Sequence, residues 1–309
     1  MRALFSMLAL CLALSACGFA VRALGRTLAL PPEPRKLSHK LRDARRADAR
    51  LSVLWIGHAT ALVQLDDKFV LTDPVFTTSV GGISTRLVEP GMEPADLPPL
   101  AAAVVSHTHM DHLSFDSLAM LEHKTPLVVL PDGARANMPR YAFESRELAP
   151  WQALEAEGVR ITAVPVRHVG GRFGVDLGFS PQTFTGYVLE YHGLSVYFGG
   201  DTAFDEALFR AARARFGRLD LALLPICPIA PREHMRRVHM DPSEALTAFS
   251  LLGATYMVPI HFDTFINSDD QPGECGRELL RVERARGLDQ ARVAILGIGE
   301  QRVLMQRAP

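Results

Sequence analysis

The segment His107-Thr108-His109-Met110-Asp111-His112 holds three histidines and an aspartate within six residues. It follows Ala101–Val105, a run of small and β-branched apolar residues that reads as a buried strand. With 11 histidines in 309 residues, an H-x-H-x-D-H run arises by chance in roughly one such chain in a thousand. Imidazole nitrogens and carboxylates are the donors that borderline divalent metals take. Imidazoles crowded at a strand end repel one another unless a cation organises them. The chain must therefore fold so that a strand end opens onto a metal pocket.

With 48% hydrophobic and 22% charged residues, the chain is globular and long enough for a sizeable core. A net charge of -1 gives no global attraction to nucleic acid. Four cysteines are too few for a disulfide framework at this length. Cys227 and Cys275 read as two isolated core cysteines, with pairing left open if the compartment is oxidising.

Met1-Arg2 is a short positive start, and Ala3–Leu14 is an apolar run too short for a comfortable transmembrane helix. Leu14-Ser15-Ala16-Cys17 resembles a bacterial lipobox. The resemblance implies that residues 1–17 hold the signal peptide and lipobox, and that Cys17 is lipidated and becomes the first mature residue. Gly18 rather than aspartate follows, so the expected place is the bacterial cell envelope, lipid-anchored at the periplasmic face of the outer membrane. The alternative is an ordinary secretory signal cleaved near Ala16 or Ala20.

Residues 18–50 read as a tether. Pro31-Pro32-Glu33-Pro34 is stiff. Arg35 to Arg50 carries seven Lys/Arg against two Asp. That excess either attracts anionic headgroups beside the anchor or marks a solvated linker or surface helix. Residues 51–309 form the folded domain. It opens as an antiparallel meander: strands at 52–56, 61–65 and 69–72, with a turn at Asp66-Asp67-Lys68. A long loop, 75–99, follows. Ser114 caps a helix to about Glu122. Strands follow at 127–130, 159–166, 185–190, 194–198, 219–224 and 256–260. One helix closes at Gly217; another starts at Asp241-Pro242-Ser243-Glu244 and ends at Gly253. A helix near 277–286 and strands at 293–296 and 302–305 complete the chain.

Four of these strands run into metal-ligand chemistry, at His107, His168, Asp201 and His261. Strand ends let a rigid scaffold hold ligands while loops shape a pocket. In that order and approximate spacing, the series resembles the ligands of the metallo-β-lactamase superfamily. The resemblance covers Leu51 to Met305 and implies an αββα sandwich, two mixed sheets with helices on both outer faces. It also implies that His107, His109 and His168 hold one metal. Asp111, His112 and His261 would hold the other, with Asp201 bridging. The implied cofactors are two divalent ions, zinc first, with iron or manganese open to a set containing two carboxylates.

Within the superfamily the chain is most similar to N-acyl-phosphatidylethanolamine-hydrolysing phospholipase D enzymes and their bacterial relatives. Trp55-Ile56-Gly57-His58-Ala59-Thr60, Leu71-Thr72-Asp73-Pro74, Tyr197-Phe198-Gly199-Gly200-Asp201-Thr202, His239-Met240-Asp241-Pro242 and Ile260-His261-Phe262-Asp263-Thr264-Phe265 carry that likeness. The chain departs from it at Val169, where an aromatic residue is usual, and at Phe262-Asp263, where Trp-Gly is usual. Both departures adjoin ligands and leave the exact substrate open. Asp73 and His58 are expected to orient ligands or brace loops. His239 reads either as a group that contacts a phosphate or protonates a leaving group, or as a histidine packed at a helix start.

The implied activity is a phosphodiesterase acting on a phospholipid-like substrate through a metal-bridging hydroxide, held at a membrane by the lipid anchor. Two alternatives stand beside it. One is a lactonase or carboxyl ester hydrolase on the same site, which for a phosphorylated sugar requires a basic cluster near the metals. The candidates for that cluster are Arg86, Arg167, Arg172, Arg232 and Arg236. The other alternative is an inert envelope scaffold.

Overall fold

The computed structural model describes residues 21–22, 24–30, 33–82, 84–172, 180 and 182–307. The expected signal peptide and Cys17 lie outside these residues, as do residues 173–179. No helix among the described residues is long and apolar enough to cross a membrane.

The chain opens with β1 (Ala49–Gly57), β2 (Thr60–Leu65) and β3 (Lys68–Thr72), an antiparallel meander turned at Asp66-Asp67 and at His58-Ala59. A two-stranded excursion, β4 (Ser79–Val80) and β5 (Ser84–Thr85), interrupts the long loop. Then β6 (Ala102–Val104), β7 (Leu127–Pro131) and β8 (Glu144–Leu148) add in parallel. With β15 (Gln301–Gln306) against β1, they form a seven-stranded sheet in the order β15-β1-β2-β3-β6-β7-β8.

The second sheet takes β9 (Ala153–Ala156), β10 (Val159–Val164), β11 (Gly186–Tyr191), β12 (Leu194–Phe198), β13 (Leu221–Pro225) and β14 (Tyr256–Ile260). Its order is β14-β13-β12-β11-β10-β9. The helices α2 (Glu206–Phe216) and α4 (Pro242–Leu252) connect its parallel strands β12, β13 and β14, as crossover connections require. Further helices are α1 (Phe115–Ala119), α3 (Arg232–Met235) and α5 (Glu274–Ala285), and residues 21–22 and 24–28 are also helical.

The period-two alternation of β1 explains the layering. Leu51, Val53 and Trp55 point into a core shared with Ile161, Tyr187 and Leu189 of the second sheet. Leu54 and Ile56 point the other way, into a core with Leu113 and Leu118 at α1. Phe209, Leu246 and Leu279 of α2, α4 and α5 cover the far face of the second sheet. The result is the αββα sandwich.

Helix boundaries follow their caps. Ser114 accepts from the Ser117 amide, and Asp241 and Glu244 form a capping box. Gly253 ends α4 in the left-handed region.

Four expectations need correction. Val293–Leu296 is not a strand: only a bridge between Val293 and Met257 forms, because β14 already ends that sheet and the segment merely lies along its edge. Strands β8 and β9 were not expected, since Glu144–Leu148 and Ala153–Ala156 are polar or short and belong to sheet edges. The described part of the 18–50 tether packs on the domain. Ala44 is fully buried, Gln64 bonds both the amide and the carbonyl of Arg46, and Arg35 bridges to Val88. Part of its basic excess is spent locally, Lys40 on Glu89 and Glu93 and Arg50 on Asp66. Finally, Cys227 and Cys275 are joined in a disulfide, with Cα atoms 6.0 Å apart. Spacing along the chain could not reveal that α5 packs beside the end of β13.

Candidate metal centre

The site lies where the two sheets meet at one end of the sandwich. From the first sheet comes the turn after β6. The amides of His112 and Leu113 both donate to the His109 carbonyl, which winds the segment tightly enough to aim four side chains at one region. From the second sheet come His168 after β10, Asp201 after β12 and His261 directly after β14. The two contributions approach closely at Gly200, whose φ is +55°. A Cβ there would stand 2.3 Å from the Ser106 Cβ, so only glycine allows Asp201 to reach the histidines of the first sheet.

Asp201 is the hub. Its Oδ2 lies 3.1 Å from His261 Nε2, 3.3 Å from His112 Nε2 and 3.7 Å from His239 Nδ1. His107 Nε2 and His168 Nε2 each stand 3.9 Å from the same oxygen. Around it the donors fall into two groups. His107, His109 and His168 face one another, with His107 Nε2 and His109 Nδ1 2.8 Å apart. On the other side Asp111 Oδ2 lies 3.8 Å from His112 Nε2 and 4.0 Å from His261 Nε2. All the residues expected as ligands are therefore brought together, in the grouping that the resemblance implied.

The outer nitrogen of several rings is held by the protein, and this turns the inner one towards the pocket. His168 Nδ1 donates to the Val238 carbonyl at 2.9 Å, and His261 Nδ1 to the Cys227 carbonyl at 3.0 Å. His112 Nδ1 donates to Asp73 at 2.6 Å. Ser106 Oγ donates to Asp73 at 2.7 Å and accepts from His107 Nδ1 at 2.9 Å. Such bonds fix the tautomer and raise the basicity of a ligating imidazole.

The inner atoms are left without partners. His112 Nε2, His168 Nε2, His261 Nε2, His239 Nδ1 and Asp201 Oδ1 are all buried and make no hydrogen bond. Buried polar atoms almost always find partners. Five orphans converging on one point, four imidazole nitrogens and a carboxylate oxygen, fit divalent cations as the missing partner.

Electrostatics agree. Burial pushes His107 well below the usual histidine range, helped by His112, His109 and His168. It pushes His168 to about 4 and His58 to about 3. Lone pairs are thus free at neutral pH. Burial opposes ionisation of Asp201, but His261, His112 and His239 overcome it and hold the carboxyl well below the ordinary carboxylate range. His112 goes the other way. Burial disfavours its charge, yet Asp201, Asp111 and Asp73 raise it well above the histidine norm while no cation is bound.

The two residues expected in support roles, and His239, also find places. Asp73, fully buried with φ +32°, serves His112 directly and His107 through Ser106. His58 Nε2 lies 3.0 Å from Asp111 Oδ2, and its ring is tilted 4.0 Å from that of His261. His239 enters the pocket itself, its ring 5.4 Å from His261 and 5.3 Å from His168, and its side chain 12% exposed. His58, Asp73 and His261 all have positive φ, a conformation that side chains adopt only when surroundings enforce it.

Three of the candidate basic residues are engaged by the protein itself. Arg86 is buried, bonds the carbonyls of Val75 and Thr77 and lies over Phe265. Arg232 pairs with Asp241 and Glu244, and Arg172 bonds the carbonyls of Thr108 and Leu113. Arg167 and Arg236 are exposed.

Sequence reasoning missed Ser106 and the carbonyls of Cys227 and Val238. Backbone carbonyls carry no sequence signal, but a serine directly before the first ligand did. It also missed why Phe262-Asp263 is tolerated. Phe262 stacks on Trp55 at 4.4 Å. Asp263 sits at φ +51°, where glycine is unstrained, and its Oδ1 accepts from the Gly273 amide at 2.6 Å.

Comparison with known proteins places residues 68–262 in the beta-lactamase superfamily domain family. An uncharacterized protein of Mycobacterium tuberculosis is 33% identical over 76% of this chain and 65% of its own length. An N-acyl-phosphatidylethanolamine-hydrolyzing phospholipase D of Caenorhabditis elegans is 30% identical over 71% of this chain and 65% of its own. The chain thus spans just under two thirds of these two relatives. A metal-dependent hydrolase of Pelotomaculum thermopropionicum is 30% identical over 72% of this chain and 90% of its own. Among solved structures, a metallo hydrolase of Ignicoccus hospitalis superposes with a TM-score of 0.60 at 19% identity, covering 82% of this chain and 97% of that one.

Proposed function

The chain belongs to the metallo-β-lactamase superfamily, and on that footing we propose that it is a metal-dependent hydrolase that cleaves a phosphodiester bond in a phospholipid-like substrate. The observation that carries this reading is Asp201. One carboxylate oxygen stands within 3.1–3.9 Å of nitrogens from five histidines on both sheets, and the carboxylate's other oxygen has no partner. A carboxylate so placed would serve cations held by either group of histidines.

In this reading His107, His109 and His168 hold one ion and Asp111, His112 and His261 the other. Bound there, two divalent ions would supply an acidified water as nucleophile and Lewis-acid stabilisation of the charge that develops on the substrate. Zinc suits the histidine-rich set; iron and manganese are the alternatives. The chain's own residues do the rest. Asp73 and Ser106 keep His112 and His107 in register, and His58 steadies Asp111. His239, the pocket imidazole nearest solvent on the second sheet's side, is placed to contact the substrate's phosphate.

The bond and the substrate class rest on two supports. One is the likeness to the nematode phospholipase over most of this chain. The other is that Arg86, Arg172 and Arg232 already serve carbonyls and carboxylates of the protein, a poorer match to the basic cluster that a phosphorylated sugar lactone needs. Lipidation of Cys17 would keep the protein on the periplasmic face of the outer membrane, beside such a substrate, with no role for nucleic acid.

The test is metal analysis of the purified protein, followed by assay on a diacyl phospholipid, a small soluble phosphodiester and a lactone, each with and without chelator. Chelator-sensitive cleavage of the phosphodiester in the lipid is expected. Turnover that survives complete metal removal would overturn the mechanism, and hydrolysis of the lactone alone would overturn the bond. Asp201→Ala should abolish turnover while largely sparing the fold. An inert scaffold would show no turnover with any substrate.

A further inference from the structure

The described residues expose four large apolar side chains, and three of them lie on one short helical segment. Residues 21–22 and 24–28 are helical. Val21 is 69% exposed, Leu24 41% and Leu28 75%. Their spacing, i, i+3 and i+7, sets them on one helical face. The opposite face is polar and turned inward. Arg22 grips the Asp269 carboxylate at 2.6 and 3.1 Å. Arg26 donates to the carbonyls of Ser268 and Asp270 at 2.9 and 2.8 Å, and Thr27 is buried. A helix on a water-soluble surface shows the reverse polarity. Here two arginines dock the helix on the domain, and its apolar side faces out.

Two further observations say what covers that side. Only three residues separate Cys17 from Val21, so a lipidated Cys17 tethers the start of the helix within about 14 Å of the bilayer surface, at a maximal reach of ~3.6 Å per residue. The loop that the arginines grip also reaches the metal centre. Arg26, Ser268 and Asp270 line one cavity together with Phe265, His58 and His261.

We propose that Val21, Leu24 and Leu28 form an interfacial docking face that inserts into the lipid leaflet that carries the Cys17 anchor and presents the cavity beside His58 and His261 to that surface. The proposal rests on the reading of Cys17 as a lipid anchor and extends the lipid-substrate reading. An acyl chain alone gives attachment without orientation. The helix adds orientation, because the arginines fix its apolar face relative to the domain.

The test uses the mature acylated protein reconstituted into vesicles of phosphatidylcholine with a minority of phosphatidylglycerol. Tryptophan is introduced singly as Val21→Trp, Leu24→Trp and Leu28→Trp. Met120→Trp, at the remaining exposed apolar position, is the control. Brominated phosphatidylcholine should quench the three helix probes by about twofold, as expected for side chains about 5–10 Å inside the boundary. It should leave the Met120 probe unchanged. No quenching at the helix, or equal quenching at all four sites, overturns the proposal. So does an emission shift that depends on protein concentration in the absence of lipid, which would assign the face to a second copy.

Quenching reads insertion without turnover, so it survives failure of the phosphodiesterase reading. Where turnover is found, Leu24→Asp with Leu28→Asp should depress cleavage of vesicle lipid about tenfold, the effect of some 1.4 kcal/mol at 25 °C. Cleavage of a soluble phosphodiester should be unchanged. Equal losses on both substrates would overturn the orienting role.

Discussion

His112 and Asp73 are joined by a bond of 2.6 Å between two fully buried side chains. The Ser106 hydroxyl, facing His107, bonds the same carboxylate oxygen, and Asp73 Oδ1 accepts from the Ser106 amide at 2.6 Å. One carboxylate therefore sets the rings of two imidazoles that the proposed reading assigns to different ions. Asp73→Ala should weaken metal affinity by about 10–100-fold at both sites, the usual cost of losing such a partner. Ser106→Ala should weaken the site of His107 alone. Titration against a chromophoric chelator measures both, and an unchanged affinity in Asp73→Ala would show that the rings hold themselves.

His58 touches Asp111 and only that carboxylate of the pocket. His58→Gln should therefore release the ion held with His112 and His261 before the ion held by His107, His109 and His168. Elemental analysis after dialysis should find the metal content falling from two ions per chain towards one. Loss of both together would mean that the centre binds as a single unit.

The carbonyl that fixes His261 belongs to Cys227, whose sulfur is tied to Cys275 in α5. Breaking the disulfide by Cys275→Ser should act twice. Global stability should fall by up to about 4 kcal/mol on the chain-entropy account of a loop this long, and the metal held with His261 should weaken. Denaturant unfolding and metal titration separate the two effects. Wild-type affinity in a destabilised variant would leave the disulfide with a purely structural task.

Much of this centre was legible because its donors are side chains with a known taste for metals, spaced along one short turn or set directly after apolar runs. The capping box at Asp241 and the meander from β1 to β3 were legible for the same reason, since local chemistry decides them. What escaped was decided by distance in space. The Cys227–Cys275 bond depends on α5 lying beside the end of β13. The bridge at Val293 depends on which strand already fills the edge. Arg86, a candidate for a basic cluster near the metals, is instead sealed in by carbonyls of its own loop, and burial brings its guanidinium down to about 9.

Acid should unfold the metal-free protein over a definable range. His58, His107, His109, His168 and His239 are all lowered, chiefly by burial, against one raised imidazole, His112. A lowered folded value means that the unfolded chain binds the extra proton. Stability from these groups is therefore complete above about 6.5 and is lost as pH falls towards the folded values, about 4 for His168 and lower for His58. His112 works in the opposite sense but is outnumbered. The denaturation midpoint of chelator-treated protein should drop between about pH 7 and about pH 4.5, within the range where ordinary histidines titrate. Metal-loaded protein should resist further into acid, because each ion competes with protons for the same lone pairs. A midpoint flat across this range would contradict the burial of neutral imidazoles.

The donors come from two sheets that share no strand, and Gly200 lets them approach until Ser106 all but touches the opposing loop. Any ion seated there is consequently a rivet between the halves of the sandwich. Removing it unfastens that end while the far end stays closed by Leu51, Val53 and Ile161. Amide protons around Ser106 and Gly200 would then exchange with solvent well before those of β1 and β10. The protein would gape at its working end before it unfolded, and metal supply would govern how long the newly folded chain stays open to proteases.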